Sequence, residues 1–277
     1  MPVITLTSDY GLIDYRVAAI KGSILTLKEN AVVADVSHNV DAYDLKQASY
    51  IVNNAYKHFP AGSVHIICVD SFFRKEVRSI LYKVNGHFFL AADNGILSLI
   101  FPEIKPEAVY EITLNNRFDD EVNSRTLDIF VPAAVHLING GLPDVIGRKI
   151  KNPKQLSAPR PAFAEGNTPT IVGEVMYIDN FDNLVSNISR EFFNKISANY
   201  GSYIIKFRNL SLSTTYKNHT DIVKDWKLER EYHGKSVAIF NEAGLLELCI
   251  YKGSKENGAK TLFGLNVGEK IYIEFQP

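Results

Sequence analysis

Three aspartates follow apolar runs of the kind that form buried strands. They are Asp9 after Val3–Thr7, Asp70 after Ser63–Val69, and Asp179 after Ile171–Ile178. Carboxylates can accept hydroxyl or ammonium protons from a ligand, or orient a water molecule. A single aspartate in such a place is more often a turn or cap residue. Three together predict a shared polar cleft, because ligands of open α/β sheets bind beyond the carboxyl ends of strands.

Several other kinds of site are excluded because the sequence lacks the motifs that they require. No G-x-G-x-x-G follows the first strand, which argues against a classical NAD site. Gly253–Thr261 resembles a phosphate-binding loop but has Ala259 inserted before its lysine and no helix predicted after it. The seven histidines lack paired spacing and no C-x-x-C occurs, so the sequence predicts no metal site.

The first half of the chain alternates strand-like and helix-like segments. Helices are predicted at Tyr15–Leu27, after an Asp44 cap, and at Asp128–Asn139. Strands are predicted at Val3–Thr7, Ala31–Val36, Ser63–Val69, Ser79–Val84 and Phe88–Ala92. The Asn85-Gly86 pair between the last two is a hairpin signal. The alternation predicts an α/β domain with a mostly parallel sheet.

The pattern changes near residue 150. Lys151–Thr170 carries four prolines and no periodicity, which is typical of a linker. Strands without long helices follow at Ile171–Ile178, Tyr203–Phe207, Ser236–Phe240, Leu245–Tyr251 and Lys270–Phe275. They predict a small antiparallel sandwich or barrel. The predicted organisation is an α/β domain at 1–150, a linker at 151–169 and a β domain at 170–277.

The composition and net charge argue against some classes of binding partner. The 277 residues carry a formal net charge of −1, and their basic residues are scattered, so nothing favours a nucleic-acid or membrane-surface partner. No apolar run approaches the ~20 residues of a membrane span. Cys68 and Cys249 both lie in apolar runs and are expected to be buried, reduced thiols. With no signal peptide recognisable at the start, a cytoplasmic protein is predicted.

In addition, the sequence resembles the S-adenosyl-L-methionine (SAM) hydroxide adenosyltransferases, or SAM hydrolases, which are relatives of the SAM-dependent fluorinase and chlorinase. The likeness runs in order through Ile4–Gly22, Ala61–Asp70, Ala92–Leu97, Asp128–Gly141, Gly173–Ile188, Asn241–Leu248 and Leu265–Glu269. It implies an N-terminal α/β domain, a smaller C-terminal β-barrel, and a homotrimer that binds SAM at subunit interfaces. SAM is then the substrate, and no cofactor is implied.

The resemblance also implies substrate-binding roles for four residues. Asp9 falls where a carboxylate holds both ribose hydroxyls, and Tyr43 where an aromatic ring packs near the ribose and adenine. Asp179 falls where a carboxylate meets the methionine ammonium, and Asn183 where an amide reads adenine.

The implied reaction is attack of water or hydroxide on the ribose C5′, with methionine leaving from the sulfonium. Asp70 would orient the water, and Arg78, Arg74 or Arg125 would position Asp70, with Arg78 the first choice. The family's Asp-Arg-His triad is only partly present, because Val77 occupies the arginine position and Arg125 the histidine position. Two functions therefore stay open: hydrolysis to adenosine and methionine, or a SAM- or adenosine-binding protein without turnover, acting as a sensor or sink.

Overall fold

The protein is described by a computed structural model over residues 2–114 and 122–276. The chain forms two compact units, Met1–Ala158 and Pro159–Pro277. The proline-rich segment is divided between them. Lys154 donates its backbone N–H to Asp93 within the first unit, at 2.7 Å, and Ala162–Ala164 forms an edge strand of the second. Within the described ranges, none of the helices combines the length and apolarity that crossing a lipid bilayer requires.

The first unit is built on a seven-stranded sheet with the order β2-β1-β3-β5-β4-β6-β7. Its strands are β1 (Ile4–Ser8), β2 (Val33–Ser37), β3 (Val64–Cys68), β4 (Ser79–Val84), β5 (His87–Ala92), β6 (Ala108–Ile112) and β7 (Gly147–Lys149). Strands β2, β1, β3 and β5 pair in parallel, whereas β4, β6 and β7 add antiparallel pairs.

The sheet is therefore mixed, and the prediction of a mostly parallel sheet holds only for its first four strands. The reason is the β4–β5 hairpin, whose Asn85 and Gly86 have φ values of 50° and 76°, as a tight primed turn requires. The hairpin reverses the chain at the middle of the sheet, and β6 then pairs antiparallel with β4.

Helices cover both faces of this sheet: α1 (Arg16–Leu27), α2 (Leu45–Ala55), α3 (Ile96–Ile100), α4 (Val131–Ile138) and α5 (Pro143–Ile146). Neighbouring residues of β3 point to opposite faces. Ile66 packs in the core with α1 and α4, and Ile67 in the core with α2 and α3. Both faces are buried, which explains the near-continuous apolar run that predicted this strand.

The helix predicted at Asp128–Asn139 begins earlier in the structure than the sequence indicates. Arg125–Phe130 is a π-helical turn that leads into α4. Its cap is Ser124, whose hydroxyl accepts the backbone N–H of Leu127, and not Asp128. Asp128 instead accepts the backbone N–H groups of Asn123 and Ser124 at 2.9 and 2.8 Å. The local turn chemistry thus places the start of the helix four residues earlier than the aspartate suggests.

The second unit is an antiparallel eight-stranded sheet that is nearly barrel-shaped. Its strands are β8 (Ala162–Ala164), β9 (Thr170–Ile178), β10 (Leu184–Ser189), β11 (Ser202–Phe207), β12 (Leu210–Leu212), β13 (Ser236–Phe240), β14 (Leu245–Ile250) and β15 (Lys270–Gln276). Two helices, α6 (Arg190–Ser197) and α7 (Ala259–Phe263), accompany it. Alternate residues of β14 pack in two separate cores, because Leu246 and Leu248 face the barrel-like interior and Cys249 faces the 216–232 segment.

Candidate functional site

The carboxylate of Asp9 lies at the centre of the polar edge of the first unit. Strands β1 and β3 are parallel neighbours, so Asp9 and Asp70 leave the sheet at the same edge. Oδ2 of Asp9 accepts the backbone N–H of Asp70 at 3.2 Å and that of Tyr43 at 3.0 Å. Both of these bonds go to one oxygen, and Oδ1 of Asp9 accepts no hydrogen bond within the described chain.

The two backbone groups that Asp9 binds belong to strained residues. Tyr43 has φ 66° and Asp70 has φ 44°, in the left-handed region that costs a residue with a Cβ roughly 1–2 kcal/mol. Asn94, buried after β5, donates its amide to the carbonyl groups of Val69 and Asp70 at 3.1 and 3.2 Å. The surrounding contacts therefore hold Asp70 in its conformation, and strain of this kind is concentrated at functional sites.

Arg74 is the arginine that lies beside Asp70. Its guanidinium Nη2 is 3.6 Å from Oδ1 of Asp70, and the Asp70 side chain is 31% exposed. Arg78 points elsewhere, since its Nε and Nη2 donate to the buried carboxylate of Asp93 at 2.8 and 2.5 Å. The structure thus brings Asp70 together with Arg74 and pairs the first-choice Arg78 with Asp93.

Arg125 is almost fully buried, at 1% exposure, and binds the loop that follows Asp70. It donates to the Ser79 hydroxyl and to four backbone carbonyl groups, those of Ser71, Arg74, Val77 and Arg78. Burial, together with the nearby Arg74 guanidinium, lowers the pKa of Arg125. Its planar guanidinium fixes this loop around five acceptors, which a histidine ring with two nitrogens could not do.

A cluster of hydroxyl groups adjoins this loop. The Tyr10 hydroxyl lies 3.0 Å from that of Ser71 and 3.3 Å from that of Thr126. Burial, with a smaller contribution from Cys68, raises the pKa of Tyr10 to about 12, so the phenol stays protonated at neutral pH. These three residues, with Phe72 and Phe73, line a cavity of about 220 Å³ in the first unit.

Asp179 and Asn183 meet each other in the second unit. They flank the turn between β9 and β10, where Oδ1 of Asp179 accepts the backbone N–H groups of Phe181 and Asn183, each at 2.8 Å. Oδ2 accepts the Asn183 amide at 2.9 Å. Burial raises the pKa of Asp179 despite these bonds. The turn holds a carboxylate and an amide side by side, in fixed positions.

Three residues of the first-unit edge had no role assigned from the sequence or only a secondary one: Asp93, Asn94 and Arg74. Asp93 and Asn94 directly follow β5, which lies next to β3 in the sheet. The strand-end reasoning that found Asp9 and Asp70 could have found them, had β5 been recognised as a parallel strand. Arg74 carries no such signal, because its place beside Asp70 depends on the path of the loop.

The molecule is thus an α/β unit with paired strand-end aspartates, followed by a barrel-like β unit, and comparison with known families agrees with this class. Residues 4–147 match the model of the SAM hydroxide adenosyltransferase N-terminal domain, and residues 173–272 match that of the C-terminal domain. The chain therefore belongs to the SAM hydroxide adenosyltransferase family.

Named relatives span nearly the whole chain. A protein of Thermus thermophilus named (R)-S-adenosyl-L-methionine hydrolase is 26% identical over 281 residues, covering 96% of this chain and 97% of the relative. One of Methanocaldococcus jannaschii with the same name is 23% identical, covering 95% and 92%. A protein of Actinopolyspora mzabensis named fluorinase is 21% identical, covering 98% and 96%.

Solved structures confirm the fold. An uncharacterised conserved protein of Thermotoga maritima superposes with a TM-score of 0.84 at 23% identity, covering 98% of this chain and 99% of its own. A conserved hypothetical protein of Thermus thermophilus gives 0.72 at 24% identity, covering 99% and 100%. At these identities the likeness shows the fold alone.

Proposed function

We propose that the protein binds SAM and hydrolyses it to adenosine and L-methionine. The observation that carries the proposal is the pair of strand-end aspartates, in which Asp9 holds the strained backbone of Asp70, within a chain that belongs to this family. Water attacks the ribose C5′, the C5′–S bond breaks, and methionine leaves as a neutral thioether. The attacking water loses one proton, which passes to solvent. The sulfonium is already an activated leaving group, so the protein's work is to position water and exclude bulk solvent.

Asp9 is proposed to hold the ribose. Its Oδ1 accepts no hydrogen bond within the described chain, and an ionised carboxylate can accept hydrogen bonds from two hydroxyl groups. Tyr43 lies beside it with 60% of its surface exposed, so its ring is free to cover the sugar and base. Asp70 follows the neighbouring strand β3, and its carboxylate is proposed to orient the attacking water beside the ribose.

Replacing Asp9 by alanine is expected to weaken both SAM and adenosine binding about 10–100-fold, because charge-assisted hydrogen bonds of roughly 1.5–3 kcal/mol are lost. Calorimetry with each ligand measures the effect, and the two losses should match because both ligands contain the ribose. Asp144→Ala removes an exposed carboxylate from the same unit and serves as the control. Unchanged affinity in Asp9→Ala would return Asp9 to the role of a turn residue.

The bond that breaks is tested by the product. In ¹⁸O-labelled water, the reaction should place the label on the 5′ oxygen of adenosine, because the oxygen comes from solvent. Methylthioadenosine or S-adenosylhomocysteine would require other bonds to break and would exclude this reaction. SAM bound without any adenosine formed would support the sensor or sink instead.

Halide transfer is the competing chemistry, because the relatives include proteins named fluorinase. A halide at the nucleophile position would face the Asp70 carboxylate, and at ~4 Å that repulsion is roughly 4 kcal/mol for an effective dielectric constant of 20. We therefore expect adenosine to remain the product when fluoride or chloride is added to the assay.

Asp179 and Asn183 are proposed to bind the methionine ammonium and adenine, in a homotrimer that builds each SAM site from two subunits. Their support is the family membership and the fixed turn that presents both side chains. Light scattering should give three times the 31.1 kDa of one chain. A monomer at micromolar concentration would remove the two-subunit site. The cytoplasmic location stays a prediction from the sequence.

A further inference from the structure

A histidine, a glutamate and a cysteine converge on one face of the second unit. Glu247 and Cys249 lie two residues apart on β14, so both side chains project to the same side of the strand. His219 begins the 3-10 turn His219–Ile222, which packs over that face. One ligand atom from each of the three residues lies within 4.8 Å of the other two.

The separation between the His219 and Glu247 ligand atoms suits a small tetrahedral metal ion. Nε2 of His219 and Oε1 of Glu247 are 3.2 Å apart. Two ligands bound at about 2.0 Å to a tetrahedral zinc ion are separated by roughly this distance. Imidazole nitrogen, carboxylate oxygen and thiolate sulfur are the three ligand types that zinc uses in proteins.

The surroundings also suit a cation. Glu247 is 5% exposed and Cys249 is 1% exposed, whereas the His219 side chain is 43% exposed and leaves a path from solvent. Asn241 donates its amide to Oε2 of Glu247 at 3.0 Å, which orients the carboxylate so that Oε1 faces His219. A buried carboxylate is costly unless a positive charge accompanies it. Asp179 lies close enough to add to the negative potential.

We propose that His219, Glu247 and Cys249 bind a divalent transition metal ion, best matched by Zn²⁺, with water in the fourth position. The thiol of Cys249 releases its proton to solvent on binding, since the thiolate is the ligand. The sequence does not predict this site, because its residues follow no metal-binding spacing. His219 lies 28 residues before Glu247, and the two come together only in the folded chain.

Cobalt titration tests the proposal independently of SAM turnover. Full-length protein is treated with a chelator, dialysed and titrated with Co²⁺ alone. Stoichiometric binding should produce visible bands of four-coordinate cobalt and a near-ultraviolet thiolate-to-cobalt charge-transfer band. Zn²⁺ should then displace the cobalt and remove both. Absence of the charge-transfer band in the folded protein would mean that the cluster is a buried ion pair only, and would overturn the proposal.

The chain offers matched controls, because it contains only two cysteines. Cys249→Ser should lose the charge-transfer band, while Cys68→Ser should keep it. Asn241→Ala should weaken cobalt binding by at least ~10-fold, which is the usual scale for losing an orienting partner. His219→Ala removes a ligand itself and should weaken binding at least as much. His233→Ala, at another half-exposed histidine, should leave binding unchanged. Loss of the band in Cys68→Ser rather than Cys249→Ser would refute this site, and circular dichroism excludes unfolding as the cause.

Discussion

Asp70→Asn is expected to lower the turnover of SAM by at least ~100-fold, the usual scale for a positioned catalytic group. SAM affinity should stay within a few-fold, because Asp9 and not Asp70 holds the ribose in the proposed complex. The amide keeps the shape and the left-handed backbone but loses the charge that orients the water. Adenosine release measures turnover and calorimetry measures affinity. Asp144→Asn makes the same chemical change at an exposed site of the same unit and should leave both values unchanged.

The arginine that serves Asp70 can be identified with double variants. Arg74 lies 3.6 Å from the Asp70 carboxylate, so Arg74→Ala should lower turnover and add little further loss to Asp70→Asn. Arg78→Ala should behave differently, because Arg78 is bound to Asp93. Its effect should combine additively with that of Asp70→Asn. Additive losses for Arg74 instead would mean that it works apart from Asp70.

Arg125→Leu is expected to lower the free energy of unfolding by about 2–4 kcal/mol, since unpaired buried acceptors cost roughly 1–3 kcal/mol each and some will be rehydrated. The change removes the only side chain that donates to the carbonyl groups of both Ser71 and Val77 in the described ranges. The loop that carries Arg74 should loosen with it. Urea denaturation, followed by far-ultraviolet circular dichroism, measures the loss.

Two variants separate this effect from loss of charge alone. Arg148→Leu removes an arginine whose side chain is 73% exposed and should change the free energy of unfolding by less than about 1 kcal/mol. Arg125→Lys keeps the charge but lacks the planar fork, so it should recover only part of the stability. Equal stabilities for Arg125→Leu and Arg148→Leu would show that the buried contacts contribute little.

The elements of the first unit could largely be predicted because their signals are local. The Asp44 carboxylate caps α2 by accepting the Gln47 backbone N–H at 2.9 Å, as its position before an apolar helical face indicated. The order of the strands in the sheet was harder to predict from the sequence. Asn85 and Gly86 predict a hairpin, but no local pattern shows that β4 is inserted between β5 and β6 and so makes the sheet mixed.

In the candidate site, too, some features could be predicted from the sequence and others could not. Asp9 and Asp70 were expected at one edge because carboxyl ends of parallel strands meet, and the structure places them within one hydrogen bond. The contacts of Arg125 could not be predicted from the sequence, because its side chain binds residues 46 to 54 positions earlier in the chain. Which arginine faces Asp70 depends on how the loop is folded, and residue spacing does not determine that. The roles of these residues toward substrate remain predictions.

The two cysteines have a practical consequence. Cys68 lies in the first unit and Cys249 in the second, both are free thiols, and both are at most 2% exposed. Burial raises the pKa of each thiol, that of Cys68 to about 12, so alkylating reagents can reach a reactive thiolate only when the surrounding unit opens. In chelator-treated, metal-free protein, when reclosing is faster than labelling, each alkylation rate reports the opening equilibrium of one unit. A metal bound as proposed above would slow the labelling of Cys249 further. Each unit thus contains one native cysteine whose alkylation reports local opening. Peptide mass spectrometry can measure the extent of alkylation at each cysteine without an introduced probe.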